Sequence, residues 1–242
     1  MKNKIGIMGA GWLGMPLATH LNGDGFSVFV LSRSLEKLTQ CEDVNIPLYS
    51  YAESKMLAPH CDVLICCIPP IDSYADFVIK HVKNVWPNHV VFCSSISVYA
   101  QTEGVITEKS EALGNTTLIA VEKALIALKI PTTILRLGGL IGPLRHPAYF
   151  FAGKKSLSGG LAPVNLIHQQ DVLLLIKTLL TNRKPGIYNV VYPAHPTRKS
   201  YYEQACFERG LAPCTFESTG TGKWVDGNAI VTDLKTGYSQ PI

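Results

Sequence analysis

The feature that most constrains the fold is a glycine-rich stretch near the N-terminus, GAGWLG at residues 9–14. It directly follows the apolar run Lys4–Met8 and opens an amphipathic stretch. In a strand–turn–helix unit Gly9 permits the tight turn, Gly11 lets a ligand approach the backbone, and Gly14 allows close packing of helix on strand. The N-terminus of such a helix offers N–H groups and partial positive charge to phosphates. The stretch therefore predicts a dinucleotide site, with a ligand-free glycine turn as the plainer alternative.

Short apolar runs alternate with amphipathic stretches over the first 140 residues. Continuous apolar strands indicate a parallel sheet covered on both faces, and the alternation predicts a Rossmann-type, doubly wound α/β fold. The predicted strands are Lys4–Met8, Ser27–Leu31, Ile46–Tyr49, Val63–Ile68, Val90–Ser94 and Thr132–Leu137, and the predicted helices are Trp12–Asn22, Ser34–Gln40, Ser73–Val85 and Thr116–Leu128.

After Pro143 the pattern loosens into a stretch rich in glycine, proline and aromatic residues. Four elements are still predicted there: strands at Val164–Ile167 and Gly186–Val191, and helices at Gln169–Leu180 and Arg198–Arg209. We therefore expect residues 1–143 to form a nucleotide-binding core and residues 144–242 a small C-terminal substrate lobe packed on it, the two making a single structural unit.

Composition narrows the function classes. A net charge of +4, without a dense cluster of Lys and Arg, argues against a nucleic-acid partner, and no apolar run reaches the length of about 18 residues expected of a membrane span. Seven cysteines are an odd number and suggest a reducing, cytoplasmic location. Cys66 and Cys67 have no second pair at metal-binding spacing, so we expect packing and no metal site.

The end of the second predicted strand decides between the two nicotinamide cofactors. NAD-binding folds usually place Asp or Glu there to bind the ribose hydroxyls. Here the strand runs into Ser32-Arg33-Ser34, and Asp24, the only acid before Leu35, precedes the strand. A guanidinium can clamp a 2′-phosphate with two hydrogen bonds. The sequence therefore favours NADP over NAD, with an ordinary surface arginine as the alternative.

Four further segments resemble the extended short-chain dehydrogenases/reductases, the group of nucleotide-sugar epimerases and dehydratases. They are VVFCSSISVYA at 90–100, LRLGGLIGP at 135–143, NLIHQQDV at 165–172, and YNVV at 188–191 with Pro196 and Tyr201. The resemblance runs over nearly the whole chain. It implies a small-molecule substrate, with nucleotide sugars among the candidates, and it makes a homodimer one expectation.

The resemblance also assigns site residues. It makes Ser95 and Tyr99 the expected catalytic residues and places His168 at the start of the substrate-lobe helix. Arg145 could meet an anionic substrate, so Arg145 and His168 are the expected substrate-binding residues. The expected cofactor-binding residues, from the glycine stretch and the strand ends, are Gly9, Gly11, Trp12, Leu13, Gly14, Ser32, Arg33, Ser34, Cys67, Ile68, Pro69, Ser94 and Gly138. For several of these a structural role is the alternative: Tyr99 packing under a loop, His168 capping the following helix, and Arg145 a solvated loop charge.

The sequence departs from the family at the proton-transfer pair. Members carry Tyr-x-x-x-Lys on the helix after the serine-rich strand, yet no Tyr lies between Ala100 and Pro131. One register puts Gly114 and Leu118 at the two positions, and another pairs Ile119 with Lys123. Tyr99, His168, Tyr149 and Cys67 are conceivable substitutes.

Two functions stay open at this point. One is an NADP-dependent oxidoreductase or epimerase/dehydratase-like enzyme with a non-standard proton donor. The other is a non-catalytic NADP(H)-binding protein with a regulatory or redox-sensing role.

Overall fold

The computed structural model describes residues 3–33, 45–50 and 59–242. Its strands are β1 Lys4–Met8, β2 Ser27–Ser32, β3 Leu48–Ser50, β4 Val63–Cys66, β5 His89–Ser95, β6 Gly104–Ile106, β7 Thr132–Leu137, β8 Gly139–Ile141, β9 Leu166–His168, β10 Gly186–Val190 and β11 Lys223–Val225. Its helices are α1 Gly14–Gly23, α2 Tyr74–Val85, α3 Thr116–Ala127, α4 Ala148–Phe151, α5 Gln169–Asn182, α6 Arg198–Glu208 and α7 Asn228–Leu234, with a 3₁₀ turn at Ile96–Val98. The predicted helix Ser34–Gln40, and with it the predicted cofactor ligand Ser34, lies outside the described residues.

A seven-stranded sheet in the order β10-β7-β5-β4-β1-β2-β3 forms the centre of the fold. The pairings β1–β2, β1–β4, β2–β3 and β4–β5 are all parallel. The order runs outward from β1 in both directions, so the chain reverses beside β1, which is where doubly wound sheets bind their ligands. The predicted Rossmann-type fold class is confirmed.

The first strand and helix show why this part of the chain folds as it does. In β1 the side chains of Ile5, Ile7 and Met8 are all fully buried, as expected of a strand covered on both faces. Helix α1 buries Leu17 and Leu21 four residues apart, which places them on one face of the helix.

The chain folds into two compact units, each assembled from several stretches. The first comprises Met1–Ser95, Asn115–Leu135 and Ile176–Ile187, and the second comprises Ile96–Gly114, Arg136–Leu175 and Tyr188–Ile242. Within the second unit a separate apolar cluster forms around Tyr202, Cys206, Cys214 and Phe216. The boundary expected after Pro143 stays a prediction.

None of the helices in the described ranges has the length and apolar character needed to cross a lipid bilayer.

Candidate functional site

The turn between β1 and α1 requires two of its three glycines for reasons internal to the chain. Gly9 has φ +114°, and a Cβ there would lie 3.0 Å from the backbone carbonyl of Cys67. At Gly14 a Cβ would collide with the carbonyl oxygen of Gly9. These are the tight turn and the close helix–strand approach that the spacing of the motif predicts.

Gly11 differs from both of its neighbours in the motif. A Cβ at Gly11 would meet no heavy atom of residues 3–33, 45–50 and 59–242 within 4 Å, and its φ is outside the positive range. The residue is exposed, so neither packing nor backbone conformation demands glycine there. In this fold a dinucleotide pyrophosphate meets the helix N-terminus at this position, and the predicted cofactor contact of Gly11 stays a prediction.

Helix α1 is well suited to an anion at its start. Its first turn contains no acidic residue. The first N–H groups of an α-helix have no acceptor within the helix, and they form the positive end of the helix dipole. Two further predicted cofactor residues, Trp12 and Leu13, directly precede the helix, with Trp12 half-buried and Leu13 buried.

The end of β2 lies beside this turn, because the N–H of Gly9 donates to the carbonyl of Leu31 at 2.9 Å. Ser32, half-buried, and Arg33, exposed, follow directly. Asp24 lies beyond the opposite end of α1, where its carboxylate contacts Lys177 Nζ at 2.8 Å. The hydrogen bond with Lys177 holds the pKa of Asp24 below its usual value. The carboxylate of Asp24 is therefore paired with Lys177 and does not stand at the end of β2.

The segment after β4 is fixed against the same turn. Cys67 N–H donates to the carbonyl of Met8 at 2.8 Å, and the buried hydroxyl of Tyr74 donates to the carbonyl of Ile68 at 2.6 Å. Pro69 is exposed. Cys67 and Ile68 therefore lie against Gly9, and the cofactor assignment of Cys67, Ile68 and Pro69 stays a prediction.

The end of β5 carries two of the predicted serines. Ser94 Oγ donates to the carboxylate of Glu122 at 2.6 Å, and both side chains are buried. Its hydroxyl thereby connects β5 to α3, a contact for which the sequence offered no signal. Ser95 ends the strand with its side chain half-buried, and its catalytic assignment stays a prediction.

Tyr99 belongs to a buried network within the second unit. Its hydroxyl donates to Asn189 Oδ1 at 2.7 Å and accepts from Arg136 Nη1 at 2.9 Å, and only 2% of the residue is exposed. Burial raises the pKa of Tyr99, so the phenol stays protonated. This buried network fits the alternative in which Tyr99 has a structural role. Proton transfer from Tyr99 would require one of these two hydrogen bonds to be replaced by a hydrogen bond to the substrate.

Lys223, which the sequence analysis did not identify, contacts the 3₁₀ turn Ile96–Val98. Its half-buried ammonium donates to the carbonyls of Ile96 at 3.1 Å and Tyr99 at 2.9 Å, and burial lowers its pKa. The lysine thus fixes the 3₁₀ turn that follows Ser95. It lies in a glycine-rich tail, STGTGKWVDG, that has no periodic pattern, so no sequence signal could have found it.

The predicted substrate-binding residues lie in the second unit. Arg145 is exposed in a turn closed by paired hydrogen bonds with Gly142. His168 is half-buried at the end of β9, and its Nδ1 accepts from the N–H of Gln170 at 3.1 Å, which is the capping role named as its alternative. Gly138, which was predicted to bind the cofactor, donates its N–H to the carbonyl of Val190. These three assignments stay predictions.

Gly114 occupies one of the two positions at which the family resemblance would place a tyrosine. Its N–H donates to the carbonyl of Val98 at 2.7 Å, and a Cβ at Gly114 would collide with the carbonyl oxygen of Ser97. A tyrosine at this position would require the turn at residues 97–99 to move.

Known proteins resemble this chain in sequence. Residues 4–118 match the model of the NAD binding domain of 6-phosphogluconate dehydrogenase. Over 98% of its length the chain is 33% identical to Protein YeeZ of Escherichia coli strain K12, of which it covers 96%. The chain belongs to the YeeZ family.

Solved structures share the fold of this chain at lower identity. The enzyme WbmG of Bordetella bronchiseptica in complex with NAD superimposes with a TM-score of 0.80 at 16% identity, over 100% of this chain and 91% of WbmG. UDP-glucuronic acid 4-epimerase of Bacillus cereus in complex with NAD gives 0.76 at 16%, over 99% and 94%. The resemblance to epimerase/dehydratase-like reductases is confirmed for the fold and for a pyridine-nucleotide-binding domain.

Proposed function

We propose that the protein is an NADP-dependent oxidoreductase of the epimerase/dehydratase type that works without a Tyr-x-x-x-Lys pair. The observation that carries the proposal is the charge distribution around α1. Exposed Arg33 follows β2 where NAD-binding folds place an acid, while Asp24 is held by Lys177 beyond the far end of the helix. A guanidinium in that place favours a 2′-phosphate.

The residues present fit this cofactor. Gly11 leaves open space at the N-terminus of α1 for the pyrophosphate, and Arg33 is available to the 2′-phosphate. Bound nicotinamide supplies the hydride donor or acceptor of the reaction. The likeness to a UDP-glucuronic acid 4-epimerase is the reason to test nucleotide sugars among the substrates.

The proton donor is the part in which this proposal departs from the family. Support comes from Gly114, where neighbouring carbonyls leave no room for a side chain, and from the exposed position of Lys123 in the alternative register. Ser95 and Tyr99 stay the predicted catalytic groups. Lys223 joins them as a positioning residue, because it fixes the turn between them.

Calorimetric titration with NADPH, NADP⁺, NADH and NAD⁺ tests the cofactor assignment. We expect NADP(H) to bind more tightly than NAD(H), and Arg33→Ala to weaken NADP(H) at least about tenfold, or about 1.4 kcal/mol, while leaving NAD(H) unchanged. Arg209→Ala is the matched control, since it removes the same charge from an exposed arginine in the second unit. Equal loss of both cofactors, or no loss, would refute the role of Arg33.

A non-catalytic NADP(H) sensor is the second candidate. It is favoured by the Tyr99 hydroxyl, which is buried and already makes two hydrogen bonds within the protein. The two functions differ in what they require. A sensor must bind NADP⁺ and NADPH with different affinity, because a pair bound equally shifts no equilibrium. An enzyme must consume NADPH with some member of a panel of carbonyl compounds, imines and nucleotide sugars.

A further inference from the structure

We propose that Cys67 and Cys93 form a reversible disulfide when the protein is oxidised by peroxide, and that this disulfide weakens nucleotide binding at the glycine turn. The two Sγ atoms lie 3.5 Å apart. Cys66 pairs with Phe92 across the parallel strands β4 and β5, so the next residues, Cys67 and Cys93, are neighbours. Adjacent strands lie about 4.8 Å apart, within the range of about 4.4–6.8 Å that a disulfide spans between its two α-carbons.

Accessibility separates this pair from the other cysteines of the described residues. Cys67 and Cys93 are both half-buried, whereas Cys61, Cys66, Cys206 and Cys214 are buried. Cys206 and Cys214 make a contact of the same length, 3.5 Å, but both are fully buried in the second unit. That second pair is an internal control, since it has the same sulfur separation without the exposure.

The Cys67–Cys93 pair is coupled to the glycine turn through the backbone of Cys67. The carbonyl group of Cys67 lies 3.0 Å from where a Cβ on Gly9 would be, and the N–H of Cys67 is bonded to Met8. Forming the bond brings the sulfurs from 3.5 Å to about 2.05 Å. Because Gly9 has no room for a Cβ beside the Cys67 backbone, a movement of that backbone towards the turn would displace Gly9. Oxidation is therefore expected to weaken nucleotide binding, and bound nucleotide to oppose oxidation by the same factor.

The chemistry balances with hydrogen peroxide as the oxidant. One thiolate attacks the peroxide O–O bond, giving a sulfenic acid and hydroxide, and the second thiol displaces the sulfenic oxygen as water to form the S–S bond. Two thiols lose two electrons and two protons, and one peroxide becomes two waters. A dithiol reductant reverses the bond by exchange.

The sulfur contact also sets the expected pH dependence. The hydrogen bond with Cys93, together with burial, holds the pKa of the Cys67 thiol well above its usual value. Because the thiolate is the reactive form, oxidation should be slow at neutral pH and should accelerate as the pH rises.

The test is to treat the purified full chain with hydrogen peroxide at neutral and mildly alkaline pH. Excess oxidant is then removed, free thiols are alkylated, and the protein is analysed by intact and non-reducing peptide mass spectrometry. We expect a loss of two hydrogen atoms, a linked Cys67–Cys93 peptide, reversal by dithiothreitol, and at least tenfold weaker NADPH binding in the oxidised form. NADPH added beforehand should slow the linkage.

Three variants provide the controls. Cys67→Ser and Cys93→Ser should each abolish the linkage, and the double variant Cys206→Ser/Cys214→Ser should retain it. Sulfinic or sulfonic products alone, or a linkage that includes another cysteine such as Cys41, would overturn the proposal. An unchanged NADPH affinity after clean linkage would overturn the coupling to Gly9.

The Cys67–Cys93 linkage is detected without any nucleotide, so its outcome does not depend on the proposed function. If the reduced protein binds none of the four nucleotides, the cofactor assignment fails while the linked peptide still decides the fate of the cysteine pair.

Discussion

Replacing Gly11 by alanine separates a glycine kept for folding from one kept for a ligand. Among the described residues no atom lies within 4 Å of the added methyl group, and the backbone is not in the left-handed region. Folding stability should therefore be unchanged, or should rise by about 0.4–1 kcal/mol because the unfolded chain loses freedom. The methyl group instead occupies the side from which the pyrophosphate is expected to approach.

The size of the binding loss follows from hydrogen bonding. A methyl group at van der Waals distance keeps a phosphate oxygen out of hydrogen-bond range of the nearby N–H groups. Losing one hydrogen bond to a charged group costs about 1.5–3 kcal/mol. The dissociation constant of NADPH should thus rise by about 10- to 150-fold.

Gly23→Ala provides the matched control, since Gly23 ends the same helix and also has nothing within 4 Å of its Cβ position. Both variants would be measured by calorimetric titration with NADPH and by urea unfolding. The expected pattern is two stable proteins, of which only Gly11→Ala binds weakly. Wild-type affinity in Gly11→Ala would refute the placement of the pyrophosphate, and a large loss of stability would show that the glycine serves the fold.

Two further predictions concern stability. Gly14→Ala should reduce the free energy of unfolding by at least about 2 kcal/mol, because the new Cβ collides with the Gly9 carbonyl; a urea midpoint equal to wild type would contradict this. Burial lowers the pKa of His146 to about 4, and its Nδ1 accepts from the N–H of Ala148, so the fold holds the neutral ring. The unfolded chain binds its proton near pH 6.5, so stability should fall as the pH drops from about 6.5 towards 4, by on the order of 1–3 kcal/mol from this residue. His146→Gln should flatten that slope in urea titrations, and an unchanged slope would remove His146 as its cause.

Much of the parallel sheet was predictable because each strand is locally apolar. β1 and β7 have the bounds that their apolar runs predict, Lys4–Met8 and Thr132–Leu137. Other strands differ by one or two residues at an end. β2 and β5 extend past their predicted bounds, to Ser32 and Ser95, whereas β4 ends at Cys66 although the apolar run extends to Ile68.

Three short strands of the second unit, β6, β8 and β11, were not predicted, whereas β9 overlaps the predicted strand Val164–Ile167. β11 spans only Lys223–Val225, and it is held by Asn165, whose side chain accepts from Val225 N–H at 2.8 Å and donates to the Lys223 carbonyl at 2.8 Å. A partner about 60 residues away leaves no trace in local periodicity. The hydrogen bonds of Glu122 with Ser94 and of Lys223 with the carbonyls of the 3₁₀ turn were not predictable for the same reason, because they join residues far apart in the sequence.

Within the candidate site the motif residues were predictable, and their surroundings were not. The spacing of Gly9, Gly11 and Gly14 states a local backbone requirement, which the structure meets with a positive φ and a close helix approach. The burial of Tyr99 depends instead on Arg136 and Asn189, which come from other parts of the chain.

The packing around Gly114 also limits how this chain can change over evolutionary time. A tyrosine cannot enter by one substitution, because the carbonyls of Ser97 and Val98 occupy the space that its Cβ needs. The turn at residues 97–99 would have to be rebuilt at the same time, and that turn is held in place by Lys223 and by the buried network of Tyr99. A lineage with this arrangement therefore has no single-step mutational route to a tyrosine at that position, and its chemistry must diversify through other side chains.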